Sequence, residues 1–381
     1  MIYKTISNQD VNAETRLSIF PSENGSSEIH AMIRLLDREA TTEQQFYAIE
    51  TVVASLQRET GELKNCTPVL KRYFVSDAIN QAHLLPEQKE IAISVVQQPP
   101  LNGTKVSLWV YWVENGQVKN CGENTVSLQR NIYTHLYTTQ MHSRQKNEGI
   151  ETGRLFDRYA EILAKQNCLL KDNCIRTWIY VQGIDIHYDR MATMRKMHFK
   201  QEGLTDKTHY IASTGIEGKY IYPETIVLMD AYSISGIRPE QVAYLKGLSH
   251  LAPTIEYGVT FERATAIDYG DRRHIYVSGT ASIDRKGQVV APFRIDKQIK
   301  RTLENIRVLL AEGGAAMDDI AQLIVYLRDP ADYDFVEKYL NIQYPDIPKV
   351  IVWAQVCRPE WLIEMECIAV KTSENRAFEN F

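Results

Sequence analysis

The chain has 381 residues, two to three times the usual single-domain length, so several cores are expected rather than one. It is 44% hydrophobic, 24% charged and 9% aromatic, which excludes disordered, collagen-like and coiled-coil chains, and no run of about 20 apolar residues offers a membrane helix. With 43 basic against 48 acidic residues the net charge is -5, so no overall positive field draws in nucleic acid.

The opening residues, MIYKTISNQDVN, lack the apolar core of a signal peptide, which predicts a cytoplasmic protein. Six cysteines (Cys66, Cys121, Cys168, Cys174, Cys357, Cys367) form no CxxC pair and no close His/Cys set. Neither a disulfide scaffold nor a structural zinc site is expected.

Along the chain, the periodicity predicts three copies of one pattern: an amphipathic helix, a short polar turn and an apolar strand. The first copy has a helix over 42–56, a strand over 69–75 and the run IAISVVQQPPLNGTKVSLWVYWV, which matches VIVWAQVCRPEWLIEMECIAV near the other end. A polar stretch at 125–150 then predicts a seam. The second copy has a helix over 155–165, a strand over 174–181, a helix over 188–199 and a strand over 225–231. Its basic run 190–200 (RMATMRKMHFK) reads as a solvated helical face. A second seam is predicted at 235–255. In the third copy, 296–311 places Ile299, Leu303, Ile306 and Leu310 on one helical face, and Gly313-Gly314 ends the helix. A strand over 320–327, a helix over 331–339 and a strand pair over 349–370 complete it. The expected domains are 1–140, 141–250 and 251–381. Each would be a small sheet with helices on one face, and three such sheets would cover one another's bare faces.

In WLIEME the strand period of two puts Leu362, Glu364 and Glu366 on one face. A carboxyl among apolar neighbours is desolvated, which raises its pKa and suits it to general-acid work near neutral pH. The pattern alone offers Glu364 and Glu366 alike, with a salt-bridged sheet residue as the alternative reading of each. His209 and His274 have no partners at metal-ligand spacing, and neither a phosphate loop nor a G-x-S-x-G elbow occurs.

Four stretches after position 205 stand apart: HYIASTGIEG, EYGVTFERA, YVSGTASID and QVCRPEWLIEMECIA. The third copy resembles the YjgF/RidA superfamily in its Ser-Gly strand end (VSGTASI), its EN-type helix (TLENIRVLL), its Gly-Ala turn (GGAAMDDI) and its strands VYLRD and IEMECIA. Over about 150–371, SGTASI, ASTGIEG, TFERA and VCRPEWLIE as a set resemble the chorismatase family. The resemblance implies an α/β (α+β) fold of tandem YjgF/RidA-like (chorismate mutase-like) domains, three copies forming a pseudo-trimer as a monomer or within a homo-oligomer, with residues 1–140 a degenerate copy. It also implies an enzyme without cofactor or metal that cleaves chorismate to pyruvate plus 3-hydroxybenzoate or a dihydroxycyclohexadiene carboxylate, with no nucleic-acid or membrane partner.

On this resemblance Glu364 protonates the enolpyruvyl methylene, Cys357 stands at the position that separates product subgroups, and Ala281 is a second such position. The two substrate carboxylates call for fork-like donors, for which Arg263 and Arg358 are the candidates, with backbone N–H groups and hydroxyls from Ser278, Gly279, Thr280, Ser213, Thr214 and Gly215. Tyr210, Glu217 and Tyr257 would complete a pocket formed between the second and third copies. Two alternatives stand beside it. A RidA-type imine or enamine deaminase needs an arginine shortly before the terminal strand, where this chain has only Lys349. A non-catalytic small-molecule binding protein of the same fold is the other.

Overall fold

The computed structural model describes residues 1–22 and 25–381, with Tyr257 described by its backbone alone. The first of its three sheets contains β1 (Ile2–Asn8), β2 (Ala13–Phe20), β3 (Glu28–Leu35), β4 (Cys66–Val75), β5 (Ala92–Gln97) and β6 (Val106–Glu114). Helix α1 (Thr42–Glu59) links β3 to β4, and the single-turn α2 (Ala78–Gln81) follows β4. The second sheet contains β7 (Gln117–Gly122), β8 (Thr125–Arg130), β9 (Tyr133–His142), β10 (Cys174–Val181), β11 (Ala212–Glu217) and β12 (Val227–Ser235), with α3 (Glu148–Lys165), the short α4 (Leu170–Asn173) and α5 (Ile184–Gln201). The third contains β13 (Val242–Leu245), β14 (Ala264–Asp268), β15 (Arg272–Ala281), β16 (Ile320–Leu327), β17 (Lys349–Trp353) and β18 (Ile363–Thr372), with α6 (Ile295–Glu312) and α7 (Tyr333–Gln343).

The strand orders are β1-β2-β3-β6-β4-β5, β7-β8-β9-β12-β10-β11 and β13-β14-β15-β18-β16-β17, one topology three times over. In each sheet the last pair (β4/β5, β10/β11, β16/β17) is parallel and the other pairings are antiparallel. A parallel pair needs a crossover, and α2, α5 and α7 lie in these three crossovers. The chain is therefore three tandem YjgF/RidA-like domains that together form a pseudo-trimer.

Helices cover one side of each sheet. Ile299, Leu303, Ile306 and Leu310 of α6 are buried as their spacing predicts, and Phe46, Ile49 and Val52 of α1 share a core with Leu108, Val110 and Trp112 of β6. The other faces meet at the centre, where Trp109, Trp178, Tyr232, Tyr276 and Met365, drawn from all three sheets, form one continuous cluster. No helix among the described residues is long and apolar enough to cross a membrane.

Two expectations are corrected here. The first two sheets part at 115–116, ahead of the predicted seam, because the polar stretch at 125–150 contains the paired strands β8 and β9 and the start of α3, whereas the second and third part at 236–241, inside the predicted 235–255 seam though ahead of the expected domain boundary at 250/251. Helix α3 begins seven residues before the predicted 155. Its first turns carry Glu148 and Glu151, polar residues that hydropathy assigns to solvent. Glu151 is fully buried because its carboxylate accepts the backbone N–H groups of Gln145, Lys146, Ile226 and Val227.

Candidate active site

Strands β15 and β18 run antiparallel in register except between Val277↔Cys367 and Thr280↔Met365, where Ser278 and Gly279 form a bulge. Beyond it, Ala281 lies directly across from Glu364. A Cβ on Gly279 would overlap the Glu364 Oε1 atom, so the carboxylate rests against a backbone that must lack a side chain. Glu364 is 5% exposed. Burial first, and the Glu366 charge second, push its carboxyl up to about 8 against the pull of Arg176 and Arg263. Burial and the neighbouring charge thus favour the protonated carboxyl near neutral pH.

Glu364 faces a cavity of about 550 Å³ between the second and third repeats. Ser213 and Gly215 of β11 line it from the second repeat, and Arg263, Gly279, Ala281, Cys357 and Arg358 from the third. The thiol of Cys357 is pushed up to about 12, by burial and then by any negative charge on Glu364, which favours its protonated form. Arg263 is 5% exposed, sits over the Phe261 ring at 5.3 Å and donates from Nη2 to the Ala252 carbonyl at 3.1 Å. Arg358 stacks on Trp361 at 4.9 Å.

Helix α5 supplies the rest of the wall through Tyr188, Ala192, Arg195 and Lys196. These stand at i, i+4, i+7 and i+8, which is one face of a helix. The reading of 190–200 as a solvated face is therefore corrected for Arg195, which is 1% exposed with buried Nε and Nη2 atoms that meet no acceptor among the described residues. A guanidinium so placed is costly unless an anion completes it. Its signal in the sequence was the spacing Tyr188, Ala192, Arg195 beside the buried Met191 and Phe199, a pattern masked by the lysines around it.

Other expected residues stand outside the cavity. Period-two alternation turns Thr214 away from its neighbours Ser213 and Gly215, and its Oγ1 accepts the Gly279 N–H at 2.9 Å and donates to Glu366. Ser278 Oγ donates to the Glu262 carbonyl at 2.6 Å, and Thr280 Oγ1 to the Ser278 carbonyl at 2.9 Å. Glu217 accepts the N–H groups of Gly183 and Ile184 at 3.0 and 2.8 Å, so it caps the start of α5. Tyr210 lies in an adjoining cleft that, among the described residues, shares only Phe261 and Arg263 with the main cavity. The Tyr257 side chain lies outside the described residues. His209 stacks on Tyr244, and His274 bonds Glu28 at 2.7 Å.

The acid belongs to one repeat. Pairings Tyr326↔Glu364, Tyr180↔Leu228 and Phe74↔Ser107 put leucine and serine at the equivalent positions of the second and first repeats.

Against known proteins, the family model described as endoribonuclease L-PSP matches residues 263–371. A RutC family protein of Pyrococcus abyssi is 33% identical over 99 residues, 26% of this chain and 78% of that protein. The chain belongs to the RutC family. A second RutC family protein, from Saccharolobus solfataricus, is 32% identical over 100 residues, 26% of this chain and 79% of its own length. The crystal structure of a chorismatase superposes with a TM-score of 0.62 at 17% identity, covering 80% of this chain and 93% of that one. At that identity the likeness is one of fold.

Proposed function

We propose that this RutC family protein is a chorismatase, cleaving chorismate to pyruvate and a ring acid by protonating the enolpyruvyl ether. The observation that carries the reading is Glu364, held uncharged by burial and facing a cavity lined by the buried Arg195, whose Nε and Nη2 meet no acceptor among the described residues. A neutral acid beside cationic donors suits an anionic substrate that must take up a proton on carbon. Chorismate carries two carboxylates, and Arg195, Arg263 and Arg358 offer guanidinium donors around one cavity.

Glu364 gives its proton to the vinyl methylene, which becomes a methyl group and leaves an oxocarbenium ion at the ether carbon. Water or a ring hydroxyl adds to that carbon, the ether linkage breaks, and pyruvate departs. With water the ring leaves as a dihydroxycyclohexadiene carboxylate. Without net water, pyruvate and 3-hydroxybenzoate account for every atom of chorismate. Cys357 and Ala281 flank Glu364 in the cavity wall, so they bear on which nucleophile reaches the cation. A positioned acid contributes about 10²- to 10⁴-fold.

The test incubates purified protein with chorismate, follows pyruvate through a coupled dehydrogenase and identifies the ring product by chromatography. An amino-acid-derived imine is the parallel substrate. Pyruvate release supports the proposal; imine loss alone supports a deaminase; neither supports a binding protein. The deaminase reading is weakened by Lys349, which lines a separate cleft of about 40 Å³ and donates to the Tyr344 carbonyl at 2.8 Å.

A further inference from the structure

Beside Glu364, two residues along β18 and outside the cavity lining, the three repeats share a buried cluster of four charged side chains. Glu366 of the third repeat accepts hydrogen bonds from Trp178 Nε1 at 2.7 Å and Arg176 Nη2 at 2.8 Å, both of the second repeat, and from Thr214 Oγ1. Arg72 reaches in from β4 of the first repeat. Its Nη2 donates to Asp230 Oδ2 at 3.2 Å, its Nε to Ser94 Oγ at 3.3 Å, and its guanidinium lies 4.4 Å from the Trp178 ring. Its Nη1 stands 4.0 Å from Glu366 Oε1. Arg72, Arg176, Asp230 and Glu366 are each 1% exposed.

Two guanidinia face two carboxylates, so the cluster is neutral as it stands. It joins the acid by a short path. Thr214 Oγ1, bonded to Glu366, accepts the N–H of Gly279, the residue against which the Glu364 carboxylate rests. Glu366 is also two residues along the strand from Glu364 on the same face, about 7 Å away by strand geometry.

We infer that this cluster sets the protonation state of Glu364, and that the first repeat, which contributes no lining residue to the cavity among the described residues, takes part in the chemistry through Arg72. The inference rests on the reading of Glu364 as a general acid. An ionised Glu364 would be a third carboxylate against two interior guanidinia. On the cavity side it faces the cations Arg263, Arg195, Lys196 and Arg358 and the thiol of Cys357. A bound dianion engages those cations with its own carboxylates, and the interior balance then decides whether Glu364 keeps its proton.

Opposite substitutions move that balance in opposite directions. Glu366→Gln removes a like charge while retaining hydrogen-bonding capacity, so Glu364 releases its proton more readily and the alkaline limb of the pH–rate profile moves down. At about 7 Å and an effective dielectric constant near 20, the expected movement is about 1 to 2 pH units. Arg72→Met removes a cation and moves the limb up by a smaller amount. Arg72→Met combined with Asp230→Asn deletes the pair together and returns the limb toward its wild-type position.

The readouts are pyruvate release from chorismate across pH and, independently of turnover, infrared difference titration of the carboxylic C=O stretch in wild type against Glu364→Gln. A loosened structure lowers rates without opposed movements. Limbs and titrations unmoved in both single variants, or moved in the same direction, would overturn the inference. A wild-type protein inert toward chorismate whose Glu364 titration still moves in opposed directions sinks the enzymatic reading and leaves the electrostatic coupling standing. If Glu366→Gln fails to fold, the upward movement in Arg72→Met and its reversal by Asp230→Asn carry the same test.

Discussion

Gly279→Ala separates the cost to the fold from the cost to the chemistry. Gly279 has no left-handed φ, so alanine adopts its backbone without strain and the whole effect is steric. The new methyl would overlap Glu364 Oε1, with Glu364 Cδ at 2.9 Å and Thr214 Cγ2 at 3.1 Å. The nearest of these atoms is the end of a flexible side chain, so the fold relaxes by turning the carboxylate aside, at a cost within the about 1 to 3 kcal/mol typical of overpacking. The acid then no longer points at the ether. Turnover should fall by about 10²- to 10⁴-fold, the contribution of a positioned acid, while the protein stays folded. The assay is pyruvate release under saturating chorismate, with thermal unfolding as the control. Because Gly279 acts through Glu364, the double variant Gly279→Ala/Glu364→Gln should be no slower than Glu364→Gln alone. Turnover of Gly279→Ala within about threefold of wild type would refute the reasoning, since the carboxylate cannot keep its place beside that methyl.

Four further outcomes are expected. Glu364→Gln should reduce turnover by at least about 10²-fold with ligand binding retained, checked by steady-state kinetics and calorimetric titration of a benzoate-type ligand. Its stability should also diverge from wild type with pH. The folded carboxyl is pushed up to about 8 from an ordinary 4.5, so between those values the unfolded chain gives up a proton that the folded chain retains, and wild-type stability falls as pH rises. From pH 4 to pH 9 the difference should move in favour of Glu364→Gln by roughly 3 to 5 kcal/mol, measured by urea unfolding. Arg195→Met should lower kcat/KM for chorismate by about 10²-fold through loss of a buried guanidinium–carboxylate pair, with the unliganded protein no less stable. Cys357→Ala should change the ratio of aromatic to dihydroxy product more than the rate, read by chromatography of the ring acids.

Sequence periodicity alone determined the three copies, their α+β character and the strand carrying Glu364, because helix and strand repeats are local properties that survive in each copy. The paired runs IAISVVQQPPLNGTKVSLWVYWV and VIVWAQVCRPEWLIEMECIAV do occupy equivalent places, as β5–β6 and β17–β18. The same locality misled where polar residues are buried. Glu151 hid the start of α3, and the lysines around Arg195 hid the inward face of α5, since hydropathy does not register a charge that is desolvated by partners distant in sequence. Only the packing of three sheets decided that Gly279 gives way to Glu364, that Thr214 and Ser278 turn from the cavity, and that Arg72 and Glu366, 294 positions apart, share one buried cluster. A carboxyl's proton affinity depends on the field of everything around it, and that surrounding is assembled only when distant segments fold together.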